Sequence, residues 1–288
     1  MSRRTHTCGA ENTVKHLHRW SLQLLFLGLA LLISTSASAG KLDEVRDATD
    51  DPGGEDDGDG TDSEDDGDGA GEELADEAGK TVMNAILSAA ATRAENVRFA
   101  RYPYADGVHG WVVSEAVAPL PSASFRFSMD YAYDWAQVHR PAIALSLDTS
   151  SGFGLRADYT NYVERLPEGA HDYVGIGTLN AMFRMVDASR VALYLGLGWR
   201  YLPDDEALVN GFNSLLAIDV FPVRPLVVSA IAEGGNLGAA GFFHGRVTLG
   251  ALIQRLEIFV GYDAVIIGDG KENPIVFHGP LAGIRGWL

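Results

Sequence analysis

The chain has 288 residues, 47% hydrophobic and 21% charged, with 33 glycines and a formal net charge of −17. That length is enough for two ordinary domains, but the acidity is local: residues 41–80 carry 18 acidic side chains against Lys41, Arg46 and Lys80, whereas residues 1–40 carry Arg3, Arg4, Lys15 and Arg19 against Glu11. The remainder is close to neutral and has no basic stripe, which argues against a nucleic-acid binder, and a single cysteine, Cys8, excludes a disulfide framework.

The first predicted element, residues 1–39, is a secretory signal. A positive n-region precedes a short apolar core over 22–33, interrupted only by Gln23, and Ala37-Ser38-Ala39 before Gly40 is a small-residue cleavage site. An uncleaved anchor helix is the alternative, but the apolar core falls short of the ~20 residues that span a bilayer. Residues 40–80 read as a disordered acidic linker, because D-D-P-G-G-E-D-D-G-D-G-T-D-S-E-D-D-G has almost nothing to bury and its charges repel. Set against the calcium-loop pattern from Asp66, Asp68, Gly71 and Glu77 fall in place, but Ala70 offers no side-chain oxygen at the fifth position. Weak, diffuse binding of divalent cations is the expectation there, not a formed site.

Residues 81–122 read as a short helix and an irregular lead-in. Val82, Ile86 and Leu87 share one face of a helix over 81–94, and the aromatic, turn-rich 95–121 is expected to pack at the base of the following domain or inside it.

From 123 to 288 the period changes to two. In 190–202, R-V-A-L-Y-L-G-L-G-W-R-Y-L, the apolar set Val191, Leu193, Leu195, Leu197, Trp199 and Tyr201 alternates with Ala192, Tyr194, Gly196, Gly198 and Arg200. The same pattern runs through 125–135, 142–149, 153–164 and 255–266, and less cleanly through 172–185, 207–221, 225–233, 242–253 and 275–288. Ten strands of roughly 9–11 residues or more predict an all-β fold, an antiparallel up-and-down transmembrane β-barrel.

The first, third, seventh and ninth connections read as longer than their neighbours. Long loops at one end and short turns at the other place both ends of the barrel domain on the short-turn side, the periplasm, with the 40–80 linker there too. The polar face mixes Gly196, Gly198, Ala144, Gly250 and Gly261 with Arg and Asp and has few Lys, which suits a narrow lumen better than a water-facing sheet. Tyr133, Trp135, Tyr159, Trp199 and Tyr201 fall near the outer strand ends, where an aromatic girdle belongs. A soluble periplasmic barrel, with the apolar face as its core, is the competing reading.

On these strands, and on the ending F-H-G-P-L-A-G-I-R-G-W-L, residues 123–288 resemble small bacterial outer-membrane β-barrel proteins. The resemblance implies a home in the outer membrane, contact with its lipid, and delivery by the barrel-assembly machinery. That machinery's signal usually ends on an aromatic residue; here Trp287 is penultimate and Leu288 is last.

The polar face carries Arg126, Arg156, Arg184, Arg200, Arg246 and Arg285 opposite Asp130, Asp134, Asp148, Asp158, Asp219, Glu233, Glu257 and Asp263. Charges in a narrow lumen pair or meet trapped water, so the expectation is a side-chain-filled barrel with a structural or interaction role, and the alternative is a narrow transport barrel for small solutes. His139, His171, His244 and His278 map to the outer end, but no Ser/His/acid spacing is recognisable. G-I-G (175–177), G-L-G (196–198) and G-D-G (268–270) precede no helix and make no nucleotide loop. The sequence designates no catalytic, cofactor-binding or metal-ligating residue and no cofactor. The chain is read as a non-enzyme, with an outer-rim hydrolase as a distant alternative.

Overall fold

A computed structural model describes residues 40–49, 97–105, 107–113, 120–135, 137–166, 169–203, 208–268 and 274–288. The expected signal (1–39), the rest of the acidic linker with its calcium-like stretch, and the helix over 81–94 lie outside the described residues. Within them, one helix, α1 (Lys41–Thr49), and a two-stranded ribbon, β1 (Arg98–Phe99) with β2 (Val112–Val113), precede the barrel strands. These are β3 (Ala123–Tyr133), β4 (Val138–Thr149), β5 (Phe153–Arg165), β6 (His171–Ala188), β7 (Val191–Pro203), β8 (Leu208–Val220), β9 (Leu226–Leu237), β10 (Ala240–Ile253), β11 (Leu256–Gly268) and β12 (Ile275–Trp287).

The ten strands close into an antiparallel barrel in which each pairs with its chain neighbour and β12 returns to β3. Closure removes the exposed edges that an open sheet must protect. Alternation sets the two faces. On β7, Ala192, Tyr194 and Arg200 are at most 1% exposed, while Leu195, Leu197 and Trp199 between them are 37–47% exposed. The apolar side chains point out and the polar ones point in, the reverse of a water-soluble sheet.

The strand boundaries move where the alternation is masked. Pro141 lacks a backbone donor, yet β4 runs through it: Tyr131 pairs with Pro141 on the β3 side, and the β4–β5 register skips 140 and 141. β9 continues through Gly234 and Gly235, which pair with Phe243 and Phe242. The seventh connection is therefore a two-residue turn, not a long loop. On β6, a bulge between Arg184 and Val186 leaves Met185 and Val186 both exposed.

One mouth of the barrel holds the start of β3 and the end of β12; we call it the terminal mouth, and the opposite end the far mouth. Connections at the far mouth have four, five, four, two and six residues, and those at the terminal mouth three, two, five and two. The contrast in loop length is thus smaller than the sequence suggests, because the sixth connection, with its two prolines, is as long as most of the far-mouth loops.

Candidate functional site: a lumen closed at both mouths

The expected disordered linker is corrected at its start. Residues 41–49 form α1, and α1 sits in the far mouth, not the terminal one. A run as charged as K-L-D-E-V-R-D-A-T has little helix-forming drive alone; what holds it is the barrel. Leu42 and Val45, one turn apart, are fully buried among Val138, Tyr162, Leu202 and Phe277. Lys41 Nζ donates to the Val276 carbonyl at 2.9 Å and lies 3.9 Å from Asp134. Arg46 makes a paired contact with the Asp172 carboxylate at 2.8 and 2.9 Å. At the C-terminal end, a Cβ on Gly238 would come within 2.1 Å of the Thr49 carbonyl, so only glycine, here at φ +58°, allows the approach.

The terminal mouth is filled by residues 97–105 and 107–113. Phe99 stacks on Trp111 with ring centroids 4.9 Å apart, and Trp111 meets Trp287 edge-on at 5.1 Å. Trp111 N–H donates to the Ser189 carbonyl at 3.0 Å, and a Cβ on neighbouring Gly110 would fall 1.6 Å from that oxygen. The Tyr104 hydroxyl donates to the Leu226 carbonyl, and burial raises its pKa against the opposing pull of Arg190.

Between the plugs lies a continuous charged interior. Toward the terminal mouth, Arg126 donates to Asp219 at 2.6 Å and Asp148 at 3.1 Å, and its guanidinium lies 5.0 Å from the Trp111 ring centroid and 5.1 Å from that of Trp287. Arg184 reaches Asp148 at 3.8 Å, and Glu257 accepts from Arg285 and from Trp287 Nε1. Toward the far mouth, Asp263 is the hub, accepting from Arg140, from Arg246 at 2.7 Å and from His244 Nε2 at 2.8 Å. His244 Nδ1 faces Glu233 at 3.1 Å, and Arg246 also holds Asp130 at 2.9 Å. Arg200 binds Asn213 at 2.6 Å, and Asn213 donates to Asn180.

Some of these contacts join ladder neighbours, as Arg246 with Asp263, His244 with Glu233 and Arg285 with Glu257, whereas Arg126–Asp219, Arg140–Asp263 and Arg246–Asp130 cross the lumen between strands that are not neighbours in the sheet. A cavity bordered by Arg140, Arg200, Glu233, His244 and Asp263 measures about 40 Å³, and one bordered by Arg126, Ser128 and Arg285 about 20 Å³, each with room for a few waters at most.

All six arginines and eight acids expected in the lumen are buried or half-buried, and Asp134 belongs to the far-mouth plug contacts, accepting from His278 N–H at 2.6 Å. Glu164, which the alternation of 153–164 places on the polar face, is buried; Arg140, Asn180, Asn213 and His244 are lumen groups that the sequence reading does not include, and extending the alternation of β4 back past Pro141 finds Arg140. The four histidines lie toward the far mouth but do not converge. His244 faces inward, His278 is hydrogen-bonded to Tyr262 on β11, His139 packs against Tyr131 and Tyr133, and His171 lies beside Tyr173. Among the described residues no group of His, Cys, Asp and Glu is arranged to hold a metal ion. The glycines of G-I-G make room for aromatic rings: a Cβ on Gly175 would meet the Tyr159 hydroxyl at 2.1 Å, and one on Gly177 the Tyr201 ring at 2.2 Å.

Removing residues 40–49 is expected to lower the melting midpoint of the refolded barrel. Burial of Leu42 and Val45 alone contributes about 1.5–3 kcal/mol each, and Tyr162 and Phe277 would lose their cover. An unchanged midpoint would show that α1 contributes nothing to stability.

The architecture defines a class: a closed ten-strand antiparallel barrel with an apolar exterior and an ion-paired interior. No protein-family model and no curated protein sequence matches the chain. Among solved structures it is similar to the outer membrane protease OmpT from Escherichia coli, at 7% identity and a TM-score of 0.31 over 58% of this chain and 96% of that one. It is also similar to Neisserial surface protein A (NspA), at 14% identity and a TM-score of 0.27 over 57% and 94% of the two chains. A third, CdiB from Acinetobacter baumannii, shares 11% identity with a TM-score of 0.28 over 51% of this chain and 39% of that one. At these identities and scores the functional reading rests on this chain's own residues.

Proposed function

We propose that the protein is an outer-membrane barrel with a sealed lumen, serving a structural or interaction role. The observation that carries this reading is the belt of exposed apolar side chains around a charged interior. Met129, Ile143, Leu155, Leu179, Leu216 and Leu249, from six different strands, are each 46–52% exposed. A monomer in water does not leave a patch of that extent uncovered, whereas hydrocarbon covers it at no cost. Exposed Tyr131, Tyr173 and Trp199 stand near the far-mouth ends of their strands, and exposed Trp135 lies in the connection just after β3, where amphipathic rings meet the headgroups. Lipid is the partner of the outer face; the acidic run after α1 offers cations or a basic surface a diffuse attraction.

The lumen supports the sealed reading over a transport barrel. Two plugs and crossing ion pairs leave too little bore for a solute to pass without breaking buried charge pairs. Protein refolded into planar bilayers is expected to show no steady conductance steps, while migrating as a heat-modifiable species and fractionating with the outer membrane. Well-resolved open steps would replace this reading with narrow transport, and recovery as a soluble periplasmic monomer would overturn the membrane assignment.

A further inference from the structure

Glu164 is a buried carboxylate, 2% exposed, near the far-mouth end of β5. Among the described residues no Lys, Arg or His forms an ion pair with it. Its two oxygens instead accept from backbone nitrogens at the start of α1: Gly40 N at 2.9 Å and Leu42 N at 3.1 Å. Neutral donors are weak compensation for a carboxylate taken out of water. The sequence supplies a second, independent observation: Gly40 immediately follows Ala37-Ser38-Ala39, a small-residue cleavage site. Gly40 also sits at φ +96°, a conformation that glycine alone adopts freely.

We infer that Gly40 is the mature N-terminus and that its α-ammonium is the missing counter-ion of Glu164. Hydrolysis of the Ala39–Gly40 bond adds one water, leaving a carboxylate on Ala39 and an amine on Gly40 that takes up a proton. Removing the leader thereby converts a neutral amide donor into a charged one, already 2.9 Å from its acceptor. The far-mouth plug becomes sensitive to correct processing, since a chain still carrying its leader, or cut elsewhere, presents no charge at this point. The inference rests on export through a cleaved signal and not on whether the lumen conducts.

The test begins with the intact mass and N-terminal sequence of protein taken from the outer-membrane fraction; Gly40 is the expected first residue, and any other start overturns the inference while leaving the barrel reading untouched. Next, the mature chain is compared with its Nα-acetyl-Gly40 form, in which the N–H donor survives and only the charge is lost. Acetylation is expected to lower the melting midpoint by about 5 °C or more. Glu164→Gln should lower it similarly, and acetylation should add nothing further in that variant. Equal midpoints for free and acetylated chains, or an acetylation effect that persists with Glu164→Gln, would reduce Glu164 to a cap for backbone N–H groups.

Discussion

Arg126→Met is expected to be among the most damaging single substitutions in the barrel. Arg126 is the shared partner of Asp148 and Asp219, all three at most 7% exposed, and its guanidinium lies near the rings of Trp111, Trp287 and Tyr194. Methionine keeps much of the length but leaves two carboxylates facing each other across the lumen. Breaking a buried network from one side costs about 3–5 kcal/mol, and denaturant unfolding in detergent reads it directly. Adding Asp148→Asn and Asp219→Asn should restore much of the loss, because the stranded charges go with the arginine. A loss below about 1 kcal/mol would mean that the lumen is wet enough to solvate the acids, and the sealed reading would fail with it.

The second large effect is on the outer face. Leu195 is the fifth of the thirteen residues of β7, within its span and away from both ends, and is 37% exposed. In a bilayer, Leu195→Arg should cost about 2–4 kcal/mol, since the charge must enter hydrocarbon or deform the membrane. Labelling decides what the mutant alone cannot. The only cysteine in the chain is Cys8, so a Cys8→Ser chain with one cysteine at Leu195 reports one site. Its fluorophore should be quenched by lipid-attached spin labels and shielded from aqueous thiol reagents. The alternation offers Gly196 as the inward control, but a Cβ there would lie 3.1 Å from the Ala181 carbonyl and 3.3 Å from Leu215. Ser128, which borders lumen space, is the better control and should escape lipid quenching. A Leu195 label without lipid contact in the folded protein would end the membrane reading.

Much of this barrel is legible in the sequence because one physical rule, alternation with period two, is repeated ten times. It fails where backbone chemistry and side-chain chemistry conflict. Pro141 and the Gly234-Gly235 pair look like strand breakers, yet the β3 ladder carries β4 through Pro141 and ladders on both sides carry β9 through the two glycines. Arg140 is not legible as an interior group because it sits toward a strand end, where a local pattern has too few residues to establish a face, whereas Glu164 follows the alternation of 153–164. α1 was hidden for a different reason. Its stability comes from Phe277, Asp172 and Val276, more than 120 positions away, and a window of nine charged-rich residues contains none of that information. The pairing of lumen charges was illegible on the same ground: the sequence shows which signs face inward, but only closure of the sheet decides that Arg126 meets Asp219 and Arg246 meets Asp130.

Closure also has a kinetic side. Nine of the ten ladders join strands adjacent in the chain and can form as hairpins with little loop entropy to overcome. The tenth, Leu281–Trp287 on Arg126–Ala132, joins segments roughly 150 positions apart and has the shortest register in the barrel. It should therefore zip last and open first. Its two ends are fastened by other means: Phe125 and Leu288 exchange backbone hydrogen bonds at 2.8 and 2.9 Å at one end, while Asp134 accepts from His278 N–H and Lys41 reaches across to Val276 at the other. The helix in the far mouth thus spans the seam as well as the opening, and the dwell time of the closed barrel should follow how firmly that short helix is seated.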